Sequence, residues 1–306
     1  MLGCISTINR SEFADHLLYN ASQELSMKHF VIAITLFFTS LLIVSCTPNT
    51  DKLDAIKKEG VIRIAVFDSN PPFGYVDSQT NKLVGYDVDI ANALANALGV
   101  KLELRATNPA NRIPLLKSKK VDLIAANFTI TDERAKEVDF SVPYFATGQK
   151  FIARKGVLKT AEDINNLRIG ADKGTVQEIT LREHYPTAKV ISYDDTPLAF
   201  VALRNGNVQA ITQDDAKLIG LLGNISNEQK ADFEISPFSI TKEYQGVAVA
   251  KGEKRLIDAI NVALIKLEQE GDATKIYHRW FGPESTAPLP RGNFKFAPLD
   301  QQLKND

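Results

Sequence analysis

Two extended runs, Phe145 to Arg154 and Gln245 to Ala250, limit the topologies open to this chain. One strand-and-helix series precedes the first run and a second lies between the two. In the first series the β-branched run Val61 to Val66 reads as a buried strand. Asp87 opens a helix on which Ala91, Leu94, Ala95 and Leu98 recur at helical spacing until Gly99 stops it. Strand Lys101 to Arg105, helix Asn111 to Lys117 and strand Val121 to Ala126 follow. The second series starts with strand Arg168 to Ala171, a helix from Gly174-Thr175 to Tyr185 and strand Lys189 to Tyr193. Next come a helix capped at Asp195 or Thr196 with Pro197 in its first turn, strand Val208 to Thr212 and helix Asp215 to Leu222. This alternation predicts an α/β fold with largely parallel sheets. Runs that lead out and back join the two layers most economically as two lobes linked by two crossing strands; a single large sheet is the competing topology. Two lobes leave a cleft at the carboxyl ends of both sheets, where open α/β sheets bind ligands.

Charge and the N-terminal segment narrow the partners. With 36 basic against 37 acidic residues, no bulk field favours nucleic acid or an anionic membrane surface. Lys28 and His29 precede an apolar run, Phe30 to Val44, which is short for a bilayer span and suits the core of an export signal. Met27 reads as the natural start, so residues 1–26 are an upstream extension. Cys4 then falls outside the protein and Cys46 stands alone, with no internal disulfide. The expected plan is extension and signal over 1–45, a tether over 46–59, a first lobe from 60–146 and 246–282, a second from 147–245, and a tail over 283–306.

The stretch ANFTITDERAKEVDFSVPY, ending at Tyr144, poses the chemical question. An apolar strand empties into Asn127, Thr129, Thr131 and Arg134, a turn with hydroxyls and a guanidinium suited to holding a small carboxylate. The plainer reading is a solvated loop with Arg134 paired to Glu133 or Glu137. Gly174, Thr175 and Val176 begin a helix whose free N–H groups and dipole favour an anion, although Gly-Thr before a helix is most often only a cap. No His, Cys and Asp cluster has metal-ligand spacing, no Gly-rich phosphate loop is present, and no histidine has a Ser or Cys partner at motif spacing. The expectation is therefore no metal, no cofactor and no catalytic residues.

PPFGYVD with GYDVDIANALA (71–95), NRIPLLKSKKVDLIAANFTITDERAKEVDFSVPY (111–144), GTVQE (174–178), AITQDDAKLIG (210–220) and WFG (280–282) occur in one order and spacing. Over residues 60–282 the chain resembles the extracytoplasmic solute-binding proteins of polar amino-acid ABC transporters. The resemblance implies a two-lobed, periplasmic-binding-protein-like (type II) α/β fold that captures an L-amino acid for a permease, as a monomer without cofactor. Position by position it implies that Arg134 and Thr129 hold the ligand's carboxylate and that the Asn127 carbonyl accepts from its ammonium. Gly174, Thr175 and Val176 would meet the same carboxylate from the second lobe. Asp214 would bind the ammonium, with Asp215 the adjacent alternative and the better helix cap on pattern alone. Arg112 sits where members that take acidic or small polar amino acids often have an arginine facing the side chain, and Asn70 and Phe73 complete the candidate set.

Basic amino-acid binders tend to place an aspartate and an aromatic where this chain has Phe67 and Asn70. That difference favours an acidic or small polar ligand: glutamate, aspartate, glutamine, cysteine or cystine. Asp172 would repel a side-chain carboxylate if it pointed inward. Ile43-Val44-Ser45-Cys46 resembles the lipobox of bacterial lipoproteins, which implies acylation of Cys46 and a lipid anchor outside the membrane; a transmembrane anchor is the alternative. Two other functions share the fold. Cyclohexadienyl dehydratases are similar, with Asp214 as the candidate acid, and a ligand-binding sensor domain is the third reading.

Overall fold

The computed structural model describes residues 51–302. Met27, the signal segment, Cys46 and the start of the tether lie outside the described residues. Among the described residues no helix is long and apolar enough to cross a membrane.

Asp51 caps α1 (Lys52–Glu59) by accepting from the Leu53 N–H at 3.0 Å, and Gly60, at φ 72°, turns the chain into β1 (Val61–Phe67). A short ribbon, β2 (Ser69–Asn70), β3 (Gly74–Val76) and β4 (Leu83–Val84), leads to α2 (Tyr86–Leu98). Then come β5 (Lys101–Thr107), α3 (Arg112–Lys117), β6 (Leu123–Ile124), α4 (Asp132–Ala135) and β7 (Val138–Thr147). The second half holds β8 (Gln149–Arg154), β9 (Arg168–Asp172), α5 (Val176–His184), β10 (Lys189–Tyr193) and α6 (Thr196–Arg204). It closes with β11 (Ala210–Asp214), α7 (Asp215–Gly223) and β12 (Phe233–Ile235). The chain then returns through β13 (Glu243–Ala250) to α8 (Lys254–Gln269) and α9 (Asp272–Phe281).

Two five-stranded sheets result, in the orders β5-β1-β6-β13-β7 and β10-β9-β11-β8-β12. In the first, β5, β1 and β6 are parallel; in the second, β10, β9 and β11 are. Antiparallel strands complete each sheet, because the chain leaves one lobe on β7 and comes back on β13, and these two must run in opposite directions. Gly148 separates β7 from β8, and residues 236–242 connect β12 to β13. The two crossings are tied together: the Gln149 N–H donates to Thr241 Oγ1 and Ser239 Oγ donates to the Gln149 carbonyl, both at 3.0 Å.

Alternation along β1 sends Ile62, Ile64 and Val66 to one face, against Leu94 and the α8 residues Leu256 and Ile260. Ala65 and Phe67 face the other way, toward Leu116, Ile124 and Phe128. A cluster of Phe73, Tyr86, Phe145, Tyr277 and Phe281 closes the first core, and Ala287 and Phe296 from the C-terminal segment are buried in it. Helix α7 serves both lobes. Its Ala216 packs in the first-lobe core, while Leu218 and Leu221 pack in the second.

Candidate functional site

The carboxyl ends of both sheets converge on one buried polar cluster. The single turn α4 is capped by Thr131, whose Oγ1 accepts from the Arg134 N–H at 3.2 Å, and this aims the Arg134 side chain inward. Nη1 donates to the Thr129 carbonyl at 2.8 Å and Nη2 crosses between the lobes to the Gly174 carbonyl at 3.1 Å. The guanidinium carbon lies 4.5 Å from the centre of the Phe128 ring. Burial pulls its pKa down to about 10, against the pull of Glu243 and Asp214, so it is charged at neutral pH.

Facing it is a pair of carboxylates. Asp214, 1 % exposed, accepts from Gln177 Nε2 at 2.6 Å and from Gln245 Nε2 at 3.0 Å. Gln177 Nε2 also lies 2.9 Å from Glu243 Oε2, which accepts from Thr129 Oγ1 at 3.0 Å. Burial first, and then the charge of Glu243, push Asp214 up to about 7; burial likewise raises Glu243. Of the two adjacent acids, Asp215 works locally, accepting from Thr147 Oγ1 at 2.6 Å and from the Ala216 N–H. Asp214 makes no capping bond and faces the cluster.

Asn127 adopts φ 46° at the point where the strand breaks. Its N–H donates to Asp87 at 2.8 Å, its carbonyl accepts from Arg112, and its Nδ2 is buried beside Asp214 without an aligned hydrogen bond. A second group of polar and aromatic side chains, Asp172, Lys217, Thr196, Phe67 and Asn70, meets where the lobes approach. Thr196 Oγ1 donates its one proton to Asp172 and lies 3.2 Å from Asn70 Oδ1, a polar contact between lobes.

Three expectations change. Phe73 lies in the core with no exposure, 5.0 Å edge-on to Phe145, so it supports the cleft without lining it. Arg112 is 3 % exposed, and its Nε and Nη1 donate to the carbonyls of Pro109, Ala126 and Asn127. A guanidinium held by three carbonyls and stacked 4.4 Å from Phe128 chiefly braces the loop that carries Asn127. The Gly174 N–H donates to Glu178 and the Thr175 N–H to the Asp172 carbonyl, which leaves Val176 as the turn's remaining amide; Gly174 instead offers its carbonyl to Arg134.

Sequence reasoning missed Glu243, Gln177, Gln245 and Lys217. Their signals were faint: an acid opening a buried crossing strand, an amide inside GTVQE and another at the start of the returning run, and a lysine one helical turn after Asp214.

Residues 62–283 match the model of the bacterial extracellular solute-binding proteins, family 3. The chain belongs to that family. Members similar to it include the L-cystine-binding protein TcyJ of Escherichia coli (strain K12), 31% identical over 76% of this chain and 87% of that protein. The ABC transporter glutamine-binding protein GlnH of Bacillus subtilis (strain 168) is 32% identical over 83% of this chain and 97% of its own length. Among solved structures, the cysteine-binding protein from Campylobacter jejuni is 33% identical with a TM-score of 0.72, covering 79% of this chain and 97% of that one. Family 3 proteins are extracytoplasmic binding proteins of amino-acid transport, and this chain shares their two-lobed α/β architecture.

Proposed function

We propose that this family 3 protein holds a polar L-amino acid as a zwitterion between its lobes and hands it to an ABC permease from the closed form. One observation carries the reading: Arg134 from the first lobe and Asp214 from the second meet in the same buried cluster. Neither lobe alone holds both charges, so a ligand with a carboxylate and an ammonium on one carbon favours closure. Arg134 grips the carboxylate with the Thr129 hydroxyl and the Val176 amide near it; Asp214 and Glu243 receive the ammonium. Buried groups without partners, Asn127 Nδ2 and Gln245 Oε1, stand at the same place and suit a ligand rich in donors and acceptors.

The reading includes a monomer held outside the cell by acyl chains on Cys46. Cys46→Ala should move the protein from the membrane fraction to the soluble one; an unchanged distribution would refute the anchor.

One feature favours a second reading. A carboxyl group at about 7 is poised for general acid work, as a dehydratase needs. Gln177 and Gln245 hold both oxygens of Asp214, an arrangement better suited to a fixed ammonium partner. Purified protein should leave prephenate absorbance constant, and its decay would favour the enzyme. A thermal-shift screen against the twenty amino acids plus cystine tests binding itself, since a ligand at a hundredfold its dissociation constant adds about 2.7 kcal/mol. No shift with any of them would sink the reading.

A further inference from the structure

Beyond Arg134 and Asp214 the cleft holds a second pair of opposite charges that the ligand's α-carbon groups do not need. Asp172 ends β9 and Lys217 lies in the first turn of α7, their side chains 1% and 2% exposed and 3.5 Å apart. Asp172 Oδ2 also accepts from Thr196 Oγ1 and Gln213 Nε2, each at 2.7 Å, whereas Oδ1 is buried with no partner. The Lys217 ammonium has three donors, and among the described residues its one hydrogen bond is that long contact with Asp172. The ring of Phe67 on the first lobe lies 5.1 Å away, and the ammonium also draws on the buried carboxyl groups of Asp214 and Asp87 without a hydrogen bond to either. A buried oxygen without a donor and an ammonium with unused donors are costly in a folded protein, and both stand where the lobes meet.

We propose that Asp172 and Lys217 select the ligand's side chain, and that they take one whose end presents a donor and an acceptor together with no net charge. This rests on the amino acid lying between Arg134 and Asp214. A primary carboxamide fits, its NH₂ donating to Asp172 Oδ1 and its oxygen accepting from Lys217 Nζ. The far end of a disulfide-linked amino acid fits the same pair, ammonium to Asp172 and carboxylate to Lys217. A lone carboxylate meets Asp172 and a lone guanidinium meets Lys217, so acidic and basic side chains are rejected by the like charge. Arg112 is held by Nε and Nη1 on backbone carbonyls, which leaves only its Nη2 edge for a ligand, and the glutamate arm of the titration reads whether that edge restores an acidic preference.

The test titrates glutamine, cystine, glutamate and arginine calorimetrically into the wild type, D172N, K217M and D172N/K217M. The wild type should bind glutamine or cystine at least about tenfold more tightly than glutamate and arginine, and which of the first two binds identifies the source of the paired donor and acceptor. K217M should shift the preference toward arginine and D172N toward glutamate, each by about tenfold or more, and the double variant should bring the four ligands within a few fold. Should K217M fail to fold, the uncharged double variant still carries the test. A pair that only braces β9 against α7 would lower the melting temperature and leave the rank order of ligands intact, which overturns the proposal; so does a wild type that prefers glutamate or arginine. A wild type that binds no amino acid at all overturns the cleft reading and this inference with it, whereas an unchanged rank order removes only the selection.

Discussion

Arg134 reaches from the first lobe to the backbone carbonyl of Gly174 in the second, Nη2 to oxygen at 3.1 Å. The same guanidinium is held by the Thr129 carbonyl, so it is oriented before any carboxylate arrives. Arg134→Ala removes one partner of a buried charge pair, a loss of about 3–5 kcal/mol, and ligand affinity should drop by roughly two to four decades. Arg134→Lys keeps the charge without the fork and should recover only part of it. Calorimetric titration with the ligand found by screening reads both; wild-type affinity in Arg134→Ala would remove Arg134 from the site.

Gly220 in α7 faces the Pro71-Pro72 segment of the other lobe. A Cβ there would lie 2.7 Å from the Pro71 carbonyl and 2.5 Å from Pro72 Cδ. Gly220→Ala should therefore disfavour the closed approach of α7, at about 1–3 kcal/mol for such overpacking. Ligand affinity should fall by about tenfold or more. Small-angle scattering with ligand should show a larger radius than for the wild type at the same concentration; superimposable curves would show that this contact does not limit closure.

Protons should be released on binding. Asp214 sits up at about 7 against an ordinary 3.8, with burial and Glu243 as the causes. A carboxyl group whose folded pKa is raised binds more protons folded than unfolded across that window, so its contribution to ligand-free stability falls as pH rises from about 4 to 7. An ammonium requires the ionised form, so affinity should climb over the same range and level off above it. Calorimetry in buffers of different ionisation enthalpy should detect a released proton at pH 6 and much less at pH 8. Heats independent of buffer at pH 6 would contradict it.

Phe73 separates support from contact. Phe73→Ala should destabilise the protein by about 3–5 kcal/mol, as large-to-small core changes of this size do, and leave the order of preferred ligands unchanged. Chemical denaturation and a ligand panel read the two effects. A full-stability variant with altered preference would place Phe73 at the ligand after all.

The alternation of strands and helices, the two extended runs and the caps were legible in the sequence because each depends on neighbours a few residues apart. Asp195 receives the Leu198 N–H and Gly99 takes φ 69° whatever else the chain does. Arg134 stood out only through the family resemblance, since from the residues alone a solvated partner for Glu133 or Glu137 was the plainer reading. Its partners were not legible. Glu243 lies 114 positions from Thr129, Gln177 lies 37 from Asp214, and Lys217 lies 45 from Asp172, yet each pair is in hydrogen-bond contact. Which polar side chains a cleft gathers depends on how two sheets and their crossing strands bring distant segments together, and no local pattern encodes that distance. Arg112 shows the converse. Its charge and position suggested a ligand contact, but the fold supplied three backbone carbonyls within reach, and a buried cation takes the acceptors that surround it. The sequence by itself determined the layered halves and the crossings; the tertiary structure alone decided which carboxylates gather near Arg134 and which amides and lysine meet them, because those contacts join segments far apart in the chain.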